Sequence, residues 1–190
     1  MTSQHLTHST SSRGTWVRAV VFGAGAGVLA SLAMAMYAMI AAWAGGTGFF
    51  TPLYHIASLF VSQDSMMASM EDAMGGSDLY FTLGPAALGA MIHMMTGAMY
   101  AALFAVVVTR LALGRMLIVG LGLLYGAMVF AVSTWIGLPI AAGIFDSGDQ
   151  ITNMAEMAGW GTFVIEHLVF GLVLGGLVAL RPVRAEDHSE

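Results

Sequence analysis

The chain has 190 residues, enough for one small domain, and pairs 58% apolar residues with only 9% charged ones at a mean hydropathy of +0.81, which excludes an ordinary soluble globular protein. Six basic residues, all Arg, against eleven acidic ones leave a net charge of -5, so no continuous basic face exists for nucleic acid. With no cysteine there is neither a disulfide framework nor a thiolate metal site nor a cysteine nucleophile, and sulfur is confined to 16 Met.

In chain order, residues 1–12 are polar and Ser/Thr-rich, with His5 and His8, and read as a mobile tail that is a poor metal site. Four apolar runs follow, at about 19–43, 85–109, 116–140 and 160–180, each long enough for the roughly 20 helical residues that span a bilayer. The predicted fold is therefore an all-α membrane protein: a four-transmembrane-helix bundle over 19–180 between tails at 1–18 and 181–190. The first run ends in Ala42-Trp43-Ala44, which mimics a signal-peptide cleavage site, but it is too long for the roughly 7–15 residues of a signal h-region.

The loop at about 44–84 exceeds what a helix link requires. Its apolar positions at 53, 56, 59, 60, 66, 67, 70 and 74 follow a helical period, which predicts a helix lying in the membrane interface. Gly75-Gly76 ends it, and Gly84-Pro85 opens the second span.

Arg13 and Arg18 precede the first span, Arg110 and Arg115 link the second and third, and Arg181 and Arg184 follow the fourth. All six fall on one side of an even-numbered bundle, which by the positive-inside rule predicts both termini in the cytoplasm. The opposite side carries Asp64, Glu71, Asp72, Asp78, Asp146, Asp149 and Glu156, with Trp43, Trp135 and Trp160 near helix ends as an aromatic belt.

The second span carries His93-x3-Gly97 and the fourth His167-x3-Gly171 in equivalent places. Small residues recur at Gly23, Gly27 and Ser31 and at Gly122, Gly126 and Ser133, as in two like-oriented hairpin repeats. Small-residue packing also explains Gly23-Ala24-Gly25-Ala26-Gly27, which sits in an apolar span with no strand before it and so does not match a dinucleotide fingerprint.

Buried polar groups are the candidates for chemistry, because they are costly at membrane depth and face the bundle interior or a cavity. His93 and His167 lie roughly 12 Å and roughly 10 Å from the ends of their helices, close to one level. One reading makes them axial ligands of a haem b slotted beside Gly97 and Gly171, although no Arg lies on that side to meet propionates. The plainer reading is a pair of imidazoles bonding across the bundle, with each Gly permitting close packing. Glu166 is the only carboxylate within a span, about 100° around the helix from His167, and is expected either protonated or paired with His93. Tyr100 and Tyr125 reach one depth and are expected to hydrogen-bond between helices, whereas a proton path would need more polar groups than these, Ser133 and Thr134 supply.

Methionines cluster at Met66, Met67, Met70 and Met74, at Met91, Met94, Met95 and Met99, and at Met154 and Met157. Thioethers with an imidazole suit Cu(I), giving Met66, Met67 and Met70 with His55, or alternatively His93, as a candidate copper set. Met91, Met95 and Met99 form a stripe beside the His93 face that reads as adaptable packing.

The pattern Gly89-x3-His93-x3-Gly97-x2-Tyr100, Tyr125-Gly126 and His167-x3-Gly171-x3-Gly175, over about residues 20–180, resembles a group of small four-helix bacterial inner-membrane proteins of uncharacterised function. The long Met-rich loop departs from that group. The resemblance implies a bacterial inner (plasma) membrane location and no activity. Taken together, the sequence predicts a non-catalytic structural or accessory subunit that meets lipid and associates with itself or other membrane subunits through small-xxx-small faces. A haem or copper protein and a small transporter or proton-conducting element are the alternatives.

Overall fold

The computed structural model describes residues 7–111 and 113–181, as nine α-helical segments and one π segment with no strand among them. Four helical units are long and apolar enough to cross a bilayer: Trp16–Ala44 within α1 (Thr7–Ala44), α4 (Leu83–Val108), Arg115–Phe145, and α9 (Trp160–Ala179). The protein is thus an integral, multi-pass four-helix bundle. A helix is the form such sequences take in lipid, because it satisfies every backbone polar group within one segment.

α1 begins at Thr7, so residues 7–18 of the predicted N-terminal tail are helical, while residues 1–6 and 182–190 of the two tails lie outside the described residues. Its C-terminus is set by Gly46 at φ 71: Thr47 N–H donates to Ala42 O at 2.9 Å and Gly46 N–H to Trp43 O at 3.0 Å, the two bonds of a Schellman stop. The third span runs five residues beyond its predicted end at 140. Within it α5 (Arg115–Val132) passes through a π turn, Ser133–Gly137, into α6 (Leu138–Phe145). Pro139 causes the turn, since it has no N–H for the carbonyl of Trp135 four residues back and its ring crowds that carbonyl.

The helices pack antiparallel in the order α4, α1, α9, α5 around the bundle: α1 lies along α4, α5 along α9, and α1 joins the two pairs through α9. The hydrophobic effect does not drive helices together in lipid, so backbone proximity must. A Cβ at Gly23 would stand 2.8 Å from Ala101 O, and one at Gly27 2.8 Å from Ala98 Cα. In the second pair a Cβ at Gly122 would stand 2.6 Å from Gly175 Cα, and one at Gly126 would run into His167 O. The two predicted hairpins are therefore built alike, with Gly27 set against Gly97 O as Gly122 is against Gly171 O. They are not joined alike. α1 meets α9 closely, but α4 and α5 share few contacts, chiefly at Tyr125, whose hydroxyl donates to Tyr100 O at 2.7 Å and whose ring lies 5.0 Å from Phe104.

The loop after α1 corrects the prediction of one interfacial helix. It forms α2 (Thr51–Ala57) and α3 (Asp64–Met74), separated by Ser58–Gln63, and α2 is seated within the end of the bundle with Thr51, Leu53, Tyr54, His55 and Ala57 buried. A Cβ at Gly89 would overlap Leu53 O, so only glycine lets α2 lie this close to α4. We refer to this end, which also carries α7 (Asp149–Thr152) and α8 (Met154–Met157), as the capped end. Arg18, Arg110, Arg115 and Arg181 all lie at the opposite end, where Arg110 stacks 3.4 Å over the Trp16 ring and Arg181 lies 5.2 Å from the Phe22 ring.

Candidate functional site

Where α4 and α5 diverge, the bundle is hollow. A cavity of about 460 Å³ occupies the capped half, walled by α1, α4, α9 and the π turn and roofed by α2. Its size is that of a small-molecule site. Toward the arginine end it stops at a packed layer that includes Ala30, Ala101, Phe104, Phe170 and Leu174.

The roof is fastened on three sides. Ser69 Oγ of α3 donates to Thr51 Oγ1 at 2.8 Å, the Thr51 proton going to Thr47 O. The Tyr54 hydroxyl donates to Tyr80 O at 3.1 Å and accepts from Thr82 N–H at 2.9 Å, tying α2 to the start of α4. His55 Nε2–H donates to Gln150 O at 2.8 Å, tying it to α7. Burial pushes the His55 imidazole below its usual 6.5, partly countered by the bond to Gln150, and pushes the Tyr54 phenol up against the opposing bond from Thr82.

His93, His167 and His55 all border the cavity, as does Glu166. The two span imidazoles predicted to share a level therefore share one chamber. Each imidazole has one nitrogen committed to a backbone carbonyl: His93 Nε2–H to Ser31 O at 3.1 Å and His167 Nδ1–H to Phe163 O at 2.7 Å, with His55 as above. Because a carbonyl only accepts, the remaining nitrogen of each neutral ring, Nδ1 of His93 and His55 and Nε2 of His167, carries a lone pair.

Of the two states expected of Glu166, pairing with His93 does not occur, and despite the 100° between them Glu166 borders the same chamber as His167. Its nearest basic nitrogen, His167 Nδ1, is 3.8 Å away and already donates to Phe163 O, so no hydrogen bond joins them. Glu166 is 5% exposed and Ser31 1% exposed, and the Ser31 Oγ, buried against Gly97, has no partner among the described residues.

The haem arrangement does not fit these residues. Gly97 is set against the Ser31 side chain and Gly171 against the backbone of Gly122 and Gly126, so both serve helix contacts and neither leaves a slot for a flat ring. His93 Nε2 is also occupied by Ser31 O. Of the copper set, His55, Met66 and Met70 all border the cavity, and Met67 alone does not. Met66, 1% exposed, packs with Met39, Leu53 and Tyr54, and Met70 lies against that cluster, whereas Met67 is 53% exposed on another face of α3. Among the described residues no three His, Asp or Glu side chains converge to hold a metal. Met91, Met95 and Met99 lie on the exposed, lipid-facing side of α4 and are not packing residues. Tyr100 and Tyr125 do meet, through the Tyr100 carbonyl and not its hydroxyl.

Sequence reading assigned Ser31 to packing and passed over Thr162 and the π turn that brings Ser133 to the cavity wall. The available signals were a Ser inside an apolar span and a Pro six residues after Ser133. Comparisons with protein-family models, curated proteins and solved structures give no match, so the functional reading rests on geometry.

Proposed function

We propose that this membrane protein is a non-catalytic binding protein that holds a small amphiphilic molecule in the cavity of its capped half. One observation carries the reading: a ligand-sized hollow at membrane depth that retains Ser31, Glu166 and His167 as buried polar groups, where lipid-facing packing alone would favour apolar ones. The gap between α4 and the π turn, with exposed Thr96 at its edge, supplies lateral entry from the bilayer. The gathering of Arg at one end supports, by the positive-inside rule, a reading in which both termini face the cytoplasm of a bacterial inner membrane and the cavity opens in the outer leaflet.

Native mass spectrometry of protein extracted from its own membranes tests this. The expected spectrum carries an added small-molecule mass that is lost in Ala38→Phe, which fills the cavity wall; an unadorned chain in both proteins contradicts it.

An accessory-subunit role keeps one supporting feature. Gly23, Gly27, Gly122, Gly126, Gly171 and Gly175 are consumed by contacts within the bundle, but Gly25 and Gly120 stand open on exposed faces, available to another helix. Cross-linking in native membranes separates that role from a self-contained binding protein. A transporter would in addition have to part the layer of Phe104, Phe170 and Leu174 beneath the cavity.

A further inference from the structure

We infer that the cavity selects amphiphiles with a monocationic, hydrogen-bond-donating head, an alkylammonium being the simplest, and that Glu166 holds that head. The inference rests on the binding reading above and adds the chemistry of the ligand.

The imidazoles and the carboxyl group of the chamber offer acceptors. His93 and His55 present Nδ1, and His167 presents Nε2, because the other nitrogen of each ring is spent on a backbone carbonyl. Glu166 adds two carboxyl oxygens with no hydrogen bond from any described residue. A ligand that satisfies these acceptors must bring donors.

Charge points the same way. No Arg borders the cavity, and Arg18, Arg110, Arg115 and Arg181 all stand at the far end of the bundle. A buried carboxyl group without a partner is expensive to ionise, and a cation arriving with the ligand supplies the missing partner. An anionic head would meet Glu166 and three imidazole lone pairs with nothing to compensate it. The apolar wall of Ala35, Ala38, Ile92, Leu138 and Ala141 then takes the alkyl portion, which reaches it from lipid past Thr96.

The absence of cysteine makes a direct test simple, since Thr96→Cys introduces a single thiol at the cavity mouth of the full chain. In lipid nanodiscs, the rate of thiol labelling by a methanethiosulfonate reagent is followed as dodecylamine, dodecanol or dodecanoate is added. Dodecylamine is expected to protect at concentrations about tenfold or more below those of dodecanol, the weight of one charge pair, with dodecanoate weaker still. Glu166→Gln should erase the preference for the amine and Glu166→Asp should retain it. Equal protection by amine and alcohol overturns the assignment of the ligand class while leaving the binding reading intact. No protection by any of the three overturns both. The comparison of heads requires no change at Glu166, so it decides the matter even where Glu166→Gln lowers the yield of folded protein.

Discussion

Gly171→Ala is the sharpest test of how the bundle is held together. A Cβ at Gly171 would overlap Gly122 O and stand 2.9 Å from both Gly126 Cα and Gly126 N. All three are backbone atoms, so no side chain can swing away and α5 must separate from α9 along that stretch. Overpacking of this kind costs about 1–3 kcal/mol. In contrast, a Cβ at Gly176, five residues further along the same helix, meets nothing within 4 Å. Replacing that glycine by Ala should cost nothing or stabilise by up to about 1 kcal/mol through helix propensity. Reversible unfolding of the two purified variants against the unchanged chain in mixed detergent measures both. The expected result is a large loss for Gly171→Ala and none for Gly176→Ala. Equal behaviour of the two would refute a backbone-to-backbone α5–α9 contact.

Three further outcomes follow from the roof and the seam. Tyr54→Phe removes the hydroxyl that accepts from Thr82 N–H and donates to Tyr80 O, so it should cost about 1–3 kcal/mol and speed hydrogen exchange at the Thr82 amide, read by mass spectrometry. Burial holds the folded His55 below the 6.5 of a free imidazole. Its contribution is therefore fully present above pH 6.5 and is lost as pH falls through the folded value, since the unfolded chain takes up the proton first. His55→Gln, which can still donate to Gln150 O, should flatten the stability profile below pH 6.5 in thermal melts. Tyr125→Phe deletes the 2.7 Å bond to Tyr100 O, an interhelical bond worth about 1 kcal/mol in a membrane, and should widen the distance between spin labels on α4 and α5.

The spans were legible in the sequence because bilayer thickness imposes a length that hydropathy reads directly: three of the four predicted runs agree with the helices to within three residues at each end. The third fell short at its far end, where a π turn absorbs Pro139 and the helix continues to Phe145. The placement of His93 and His167 on facing helices was also legible, from their common spacing to glycine. What those glycines do was not fully so, since small-xxx-small spacing does not say whether the partner is a neighbour in the chain or another molecule. Gly23, Gly27, Gly122 and Gly126 turn out to be used internally.

The roof was the least legible part. Thr51–Ala57 has an apolar period that suits an interface, and only contacts over long sequence separations, such as Tyr54 with Thr82 and His55 with Gln150, draw it into the bundle. Such pairings leave no local trace. Glu166 was misplaced for a different reason: an angle of about 100° between adjacent side chains separates them on a narrow interface but not around a chamber as wide as this one.

The measurement that bears most directly on the account is an experimental density map of the protein isolated with its native lipids. The expected map shows α4 and the π turn held apart and non-protein density bounded by Ser31, His93, Glu166 and His167. A map in which α4 packs against α5 along its whole length, with those side chains filling the space between, would contradict it.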